Sequence, residues 1–247
     1  MRRSCKIRAR VMLHASGHDM QQRVTALVSD PWRPKDPLRA MRLVLEELTH
    51  RVNDEFAAAI RTVESAGALT QSNEVKSSLA AVQCRLENFA RVHVALQAPE
   101  FRTTIDGGAY LRQLCEAISL SRLHFRGIQL ELVTRRLDID SEQCWRLGQV
   151  VSELVSNATR RSFLTPPTRI RVAAARRGAL IWCQVEDNGM ASESESGSRG
   201  IRIVDALARE LHGAFEQQQR CDHFVATVIF PAICESDRDL SVARSVR

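Results

Sequence analysis

The 247-residue sequence contains no long uncharged apolar run. Its best candidate, residues 224–234, is interrupted by Pro231 and is shorter than the roughly 18 to 20 residues that a membrane span requires. The sequence also lacks the G-x-x-x-x-G-K-[ST] motif, and only 5% of its residues are aromatic. We therefore expect no membrane span, and we exclude a transmembrane receptor and a P-loop nucleotide site.

The cysteines contain no C-x-x-C pair and are odd in number, which argues against a disulfide framework. Reduced thiols of this kind are typical of a reducing compartment, and several of them are expected to fill the core. The sequence thus predicts a cytoplasmic protein. The seven positions are Cys5, Cys84, Cys115, Cys144, Cys183, Cys221 and Cys234.

The positive charge is unevenly distributed along the chain. The formal net charge is +6, but eight basic and three acidic residues occur within the first 36, and the rest is nearly neutral. We expect residues 1–36 to form a poorly ordered basic arm. Charge alone could bring this arm to nucleic acid or anionic lipid. No nucleic-acid-binding motif accompanies it, so we predict no specific nucleic-acid partner.

Residues 37–98 have the pattern of two long helices. Apolar residues recur at spacings of three, four and seven from Leu38 to Ala66, and again from Asn73 to Gln97. Asn73 is the predicted N-cap of the second helix. A short break between the helices predicts an antiparallel hairpin. Because a lone hairpin leaves one apolar face uncovered, two copies should pair as a four-helix dimer.

Residues 99–234 interleave helices and strands without the strict alternation of a parallel sheet, and residues 235–247 are a tail. We therefore predict an α+β fold in which helices cover one mixed sheet. The expected helices are 107–123, 141–162 and 201–211, and the expected strands are 128–133, 169–175, 179–186 and 224–230.

His50 is the first candidate for chemistry. At roughly 100° per residue it falls opposite the apolar stripe of its helix, so it should face solvent. Glu46, Glu47 and Asp54 lie within one turn of it. A carboxylate such as Glu47 can hold the proton of one ring nitrogen and leave the other as a nucleophile. The alternative is a charged, solvated helix face that includes a histidine by chance.

Glu153, Asn157 and Arg161 are spaced i, i+4, i+8 on a predicted helix. An amide oxygen suits a hard cation, a guanidinium suits phosphate, and a carboxylate can accept a proton or hold a water. This trio therefore matches a site for phosphate and metal. A polar helix face held by i, i+4 pairs is the alternative.

Two glycine-containing segments complete the candidates. Asp187 and Gly189 end a predicted strand, where Asp could accept from an adenine amine and Gly could allow close approach of the base. Gly197 and Gly200 lie in a loop that leads into a helix N-terminus, a place suited to phosphate. An ordinary turn and an ordinary helix cap are the respective alternatives.

Together these motifs occur in the order and spacing of a known family. The sequence resembles the transmitter module of bacterial sensor histidine kinases of the HisKA_2 and HWE groups, whose phosphoacceptor segment has the form E-x-x-H-R-V. Here that segment is Glu-Leu-Thr-His-Arg-Val at residues 47–52. The resemblance extends over residues 38–232 and includes residues 110–115, the strand after 126–128, and the segments at 153–157, 187–189 and 197–204.

The resemblance implies a dimerisation and phosphotransfer hairpin at 37–98 and a Bergerat-type α/β sandwich at 99–234 that binds ATP and Mg²⁺. It also implies a histidine kinase that autophosphorylates and passes the phosphoryl group to a response-regulator aspartate. No room is left for a sensor, so a separate sensor protein is expected. The implied roles are phosphoacceptor for His50, Mg²⁺ ligand for Asn157, adenine contact for Asp187, base-pocket glycine for Gly189, lid and phosphate glycines for Gly197 and Gly200, and charge stabilisation by Arg161.

The sequence departs from the family pattern at three places. Asn53-Asp54-Glu55 replaces the common Lys-Asn-Asn after the histidine, Ala191 replaces a second glycine, and Glu193 and Glu195 occupy the lid. These changes keep open an ATP-independent histidine phosphotransferase or adaptor with a degenerate ATPase domain. A nucleotide-binding regulator of the anti-sigma type is a further alternative, although it leaves the hairpin unexplained.

Overall fold

The computed structural model describes residues 37–99, 101–161, 169–189, 199–220 and 223–233. The predicted basic arm and nearly all of the predicted tail lie outside these ranges. The chain divides into two compact units, residues 1–48 and 49–247, and each is described by itself. Among the described helices, none is long and apolar enough to cross a membrane.

The first two helices form the predicted hairpin. Helix α1 spans Pro37–Leu69 and helix α2 spans Asn73–Ala95. The helices run antiparallel, because Gln83 of α2 donates to Glu64 of α1 (3.0 Å) while the rings of Phe56 and His93 pack 6.2 Å apart. The predicted hairpin is confirmed.

The predicted cap of α2 is wrong by one residue. Ser72, in extended conformation, is the N-cap, and its hydroxyl accepts from the backbone N–H of Val75 (3.4 Å). Asn73 is instead the first helical residue. Serine and asparagine are both favourable N-cap residues. Ser72 is the N-cap here because its backbone is extended, whereas that of Asn73 is already helical.

The following residues form helices and two sheets. The elements are β1 Thr104–Asp106, α3 Gly107–Ile118, β2 Gln129–Thr134, β3 Asp138–Asp140, α4 Ser141–Arg161, β4 Arg169–Arg177, β5 Leu180–Asp187, α5 Arg199–Glu210, β6 Ala214–Gln219 and β7 Phe224–Pro231. The larger sheet is mixed, with the strand order β2-β4-β5-β7-β6, and the smaller one consists of β1 and β3. Strands β2 and β4 are parallel and all other pairs are antiparallel, which confirms the predicted α+β class.

Three strands were not predicted. Strands β1 and β3 have three residues each, too few to establish a period of two. Strand β6 is largely polar and exposed, as expected for an edge strand that pairs only with β7. The alternating apolar pattern that marks a half-buried strand is absent from it.

The helix predicted at 107–123 ends earlier. Helix α3 stops at Ile118 and is followed by a π-helical turn, Ser119–Leu123, and a 3-10 turn, His124–Arg126. Gly127 then adopts φ of +69° and reverses the chain into β2. A positive φ is favourable for glycine and costly for other residues, so the end of this segment is fixed at that position.

Aspartates begin the two helices that cover the sheet. Asp106 accepts from the N–H groups of Gly108, Ala109 and Leu137, and these bonds hold the pKa of its carboxyl below the usual value. Asp140 accepts from Glu142 at the start of α4. These caps place α3 and α4 against the sheet, where most of the core lies. Fully buried core side chains include Leu111, Leu114, Ile118, Leu147, Val150, Ile170, Ile181 and Phe230.

Candidate functional site

Three of the predicted site residues come together where α5 begins against α4. Gly200, the second residue of α5, is buried beside Glu153 and Asn157. A Cβ atom added at Gly200 would lie 2.5 Å from Asn157 Oδ1, 2.8 Å from Asn157 Nδ2 and closer still to the Glu153 carboxylate. A larger residue at this position would therefore displace the polar ends of Glu153 and Asn157 from their present positions. We call these three residues the Gly200 cluster.

The spacing of Glu153 and Asn157 along α4 explains how this cluster forms. Glu153 and Asn157 are one turn apart and share a face, and Asn157 is buried. The start of α5 presents backbone to that face instead of a side chain. The cluster thus joins a carboxylate, an amide and the N-terminus of a 12-residue helix, a combination suited to a hydrated cation and phosphate oxygens.

Asp187 and Gly189 lie together at the end of β5. Asp187 is 1% exposed, and its Oδ1 accepts from the N–H of Gly189 at 3.0 Å. Asn188 accepts from the backbone of Arg169 through its side chain, which fixes the turn against β4 (2.7 Å). These bonds form the expected turn. They also fix the buried carboxylate of Asp187 at the end of a central strand.

The remaining predicted residues of this domain are less fully described. Gly197, with Ala191, Glu193 and Glu195, lies outside the described residues. Helix α4 reaches Arg161, but the side chain of Arg161 also lies outside the described part of the structure. Within the described ranges, no group of three or more histidine, cysteine or acidic side chains could hold a metal ion.

His50 lies on α1, as predicted, and its side chain is exposed. One turn later, Asn53 accepts from Gln97 beyond the end of α2 (3.5 Å). The acidic residues Asp54 and Glu55 are exposed as well. Glu47 is an exposed residue of the same helix within the first unit. The expectation that His50 faces solvent is confirmed.

The sequence interpretation did not include Arg122 at this site. Arg122, in the π-helical turn, lies close enough to Glu153 for the two charges to interact. Burial lowers the pKa of the Arg122 guanidinium, and the Glu153 carboxylate acts in the opposite direction. Nothing in the sequence pattern marks this residue, because the pairing depends on how the π-helical turn packs beside α4.

Two aromatic residues connect the helical hairpin to the domain. The Tyr110 hydroxyl donates to the carbonyl of Ala95, and Trp145 Nε1 donates to the carbonyl of Leu96, each at 2.8 Å. Tyr110 also fills the space over Gly148, where an added Cβ would lie 2.8 Å from its ring. The sequence did not predict either contact, because both hydrogen bonds join residues that are distant along the chain.

The donor atoms fit the nucleotide and cation that the resemblance implies. Mg²⁺ prefers oxygen ligands and retains several waters, so one amide oxygen with phosphate oxygens is a sufficient set. Asn157 offers that oxygen, Glu153 a nearby carboxylate, and Gly200 a backbone that approaches both closely. The residues present are thus compatible with a phosphate–Mg²⁺ group at the Gly200 cluster.

Comparison with known proteins finds similarity to the same family. Residues 47–122 match the HisKA_2 model, described as histidine kinase. Blue-light-activated histidine kinase 2 from Erythrobacter litoralis is 26% identical over 202 residues, covering 74% of this chain and 57% of that protein. This chain therefore spans a little over half the length of that relative.

Solved structures show a similar fold. The histidine kinase domain of a blue-light-activated histidine kinase from Erythrobacter litoralis aligns with a TM-score of 0.50 at 18% identity, covering 71% of this chain and 96% of that one. A longer structure of the same kinase aligns with a TM-score of 0.49 at 18% identity. This alignment covers 76% of this chain and 61% of that one.

Residues 47–122 thus match the histidine kinase model, and the fold is similar to that of a histidine kinase domain. The chain is similar to histidine kinases, and the resemblance found in its sequence is confirmed.

Proposed function

We propose that this protein is an ATP-dependent protein-histidine kinase of a two-component phosphorelay. In this proposal His50 accepts the γ-phosphoryl group of ATP and passes it to an aspartate on the receiver domain of a response regulator. The Gly200 cluster is the observation that carries it. Residues from two sequence segments more than 40 positions apart meet there, and the helix backbone at Gly200 lies directly against the polar ends of Glu153 and Asn157.

The proposed chemistry is one transfer between His50 and ATP. An unprotonated ring nitrogen of His50 attacks the γ-phosphorus, a nitrogen–phosphorus bond forms, the bond to the bridging oxygen breaks, and ADP leaves. Mg²⁺, when bound, would neutralise charge on the phosphate oxygens. Asn157 would hold it, Glu153 would orient a water, Arg161 would stabilise charge, and Asp187 with Gly189 would bind adenine. The roles of Gly197 as a lid glycine and of Glu47 as the carboxylate that orients His50 stay predictions.

The exposed apolar surface of the hairpin supports a homodimer. Valines of α1 and α2, Val52, Val75 and Val82, are each about 40% exposed. Packing of two hairpins into a four-helix bundle would remove this surface from water. We further propose a reducing, cytoplasmic location, supported by free thiols at Cys84, Cys115, Cys144 and Cys183. A separate sensor protein is the proposed source of input.

The test of this function is phosphorylation with γ-labelled ATP and Mg²⁺. Wild-type protein should acquire acid-labile, base-stable label, and H50A should acquire none. H124A is the matched control because His124 is also an exposed histidine, and it should label normally. Label that persists in H50A would exclude His50 as the acceptor. Label unaffected by N157A would exclude the proposed cation ligand.

One observation favours a second function, an ATP-independent histidine phosphotransferase. Asp54 and Glu55 are exposed one turn beyond His50, where their charge would repel an approaching triphosphate. Calorimetry with ATP and Mg²⁺ separates the two functions. Absence of binding at millimolar ATP, together with transfer from a phosphorylated receiver to His50, would establish the phosphotransferase and refute the kinase.

A further inference from the structure

A cavity of about 360 Å³ lies between α2, the turns that follow α3, and α4. Its volume is in the range of small-molecule sites. Ser156 and Thr159, its contributions from α4, face a different direction from Asn157, because neighbouring helical positions are about 100° apart. The cavity thus lies on a different face of α4 from Asn157, and Arg122, which lines it, also interacts with Glu153 of the Gly200 cluster. It is lined by Arg85, Phe89, Ser121, Arg122, Phe125, Arg126, Ser156 and Thr159.

The charged side chains in this lining are all arginines. The carboxylate of Glu153 interacts with Arg122 but does not line the cavity. The Nε atom of Arg85 is buried, and it has no hydrogen-bond partner among the described residues. Guanidinium groups removed from water are costly unless an anion compensates them.

Two of the three hydroxyl groups in the lining already donate hydrogen bonds to the protein backbone. Ser121 donates to the carbonyl of Ile118 at 3.3 Å, and Thr159 donates to the carbonyl of Val155 at 2.7 Å. Each of these two hydroxyl groups therefore bonds a backbone carbonyl of its own helical segment and not a ligand. The lining therefore offers a ligand the guanidinium groups and the Ser156 hydroxyl as donors.

Two phenylalanine rings hold the guanidinium groups in place. Arg85 lies 3.9 Å from the Phe125 centroid, Arg122 lies 5.7 Å from the Phe89 centroid, and Arg126 lies 5.4 Å from the Phe125 centroid. Stacked guanidinium groups lose little further freedom when they bind an anion. The planar donor fork of arginine matches phosphate oxygens in particular.

We propose that this cavity binds a small phosphate-bearing molecule, with Arg85 and Arg122 as the inner phosphate ligands and the exposed Arg126 at the entrance. The apolar rings would contact the carbon portion of such a ligand. Because the cavity lies between α2 and α4, an occupant would hold the hairpin against the domain. This site is additional to the proposed ATP site, and Arg122 is the residue that adjoins both through its interaction with Glu153.

The experiment is calorimetric titration of the full chain with pyrophosphate in the absence of Mg²⁺. R85M and R122M should each weaken binding by tenfold or more, since each removes a charge-assisted phosphate contact. R126M removes an exposed residue, so it should fold normally and weaken binding less. R112M, an exposed arginine of α3 outside this cavity, is the matched control and should bind as wild type.

N157A separates this site from the proposed ATP site. Pyrophosphate binding should persist in N157A while ATP–Mg²⁺ binding is lost. No pyrophosphate binding at millimolar concentration would overturn the proposal. Unchanged binding in R126M and R122M, or loss of binding in N157A alone, would also overturn it. Failure of ATP binding with retained pyrophosphate binding would refute the kinase and leave the cavity site standing.

Discussion

The hairpin and the sheet-containing domain bury their apolar side chains to very different degrees. Among the described residues of α1 and α2, Val92 is the one apolar side chain in the buried core, whereas residues 105–230 supply all the others. Leu45 and Leu48 of α1 are more than half exposed. The domain is thus stabilised by its own core, and the hairpin needs a further surface to cover its apolar stripe.

The two regions should differ most in how far truncation of a leucine lowers the free energy of unfolding. Leu147 on α4 is completely buried, so L147A should lower the free energy of unfolding by about 2 to 5 kcal/mol. L45A removes a side chain that is 56% exposed and should change it by less than about 0.5 kcal/mol in dilute protein. Chemical denaturation measures both. Equal changes in the free energy of unfolding for L147A and L45A would contradict this expectation.

Alkaline pH should destabilise the domain through its buried thiols. Burial raises the pKa of Cys115, Cys144 and Cys183 to about 12, against about 9 for an exposed thiol. Above pH 9 the unfolded state therefore binds fewer protons than the folded state, and stability falls as pH rises. Below pH 9 no such loss occurs.

The size of this alkaline effect is up to about 1.4 kcal/mol per pH unit for each thiol. Denaturation between pH 8 and 10 measures the slope. C183A should reduce the slope, whereas C84A, which alters an exposed thiol of the hairpin, should leave it unchanged. A pH-independent stability up to pH 10 would contradict the expectation.

Removal of one hydroxyl should loosen the connection between the two regions. Y110F keeps the ring over Gly148 but deletes the hydrogen bond to the Ala95 carbonyl, at a cost of about 0.5 to 1.5 kcal/mol. Hydrogen exchange at the end of α2 should rise, while exchange in β5 stays constant. Equal increases in both places would show that the bond supports the whole domain.

The smallest expected effect is a gain in hairpin stability. Gly67 lies inside α1, and a Cβ atom there would meet nothing within 4 Å. G67A should therefore stabilise the helix by about 0.5 to 1 kcal/mol. G200A is the contrasting substitution, since its methyl group would displace Glu153 and Asn157. Thermal unfolding compares them, and destabilisation by G67A would be the contrary result.

Periodic patterns predicted most of this fold. The helices of the hairpin and α4 follow from apolar residues at helical spacing, and the strands at 128–133, 169–175, 179–186 and 224–230 from β-rich runs. The polar edge strand β6 was missed because pairing with β7, rather than burial, holds it in place. The π-helical turn after α3 depends on tertiary packing, which no local pattern records.

The candidate site was predictable only as separate segments. Spacing on one helix indicated that Glu153 and Asn157 share a face, and the resemblance brought Gly200 into the same site. The contact itself, in which the backbone of Gly200 lies against the ends of both side chains, is a property of the folded chain. Arg122 and the bonds of Tyr110 and Trp145 join residues distant in sequence, so a single sequence carries no trace of them.

The distribution of thiols gives this protein a built-in attachment point for a spectroscopic label. Among the described cysteines, Cys84 alone is exposed, while the other three are enclosed in the domain. A maleimide dye would therefore mark α2 selectively within the described ranges, one residue before Arg85 of the arginine-lined cavity. Fluorescence from that position would report on changes in the surroundings of the hairpin.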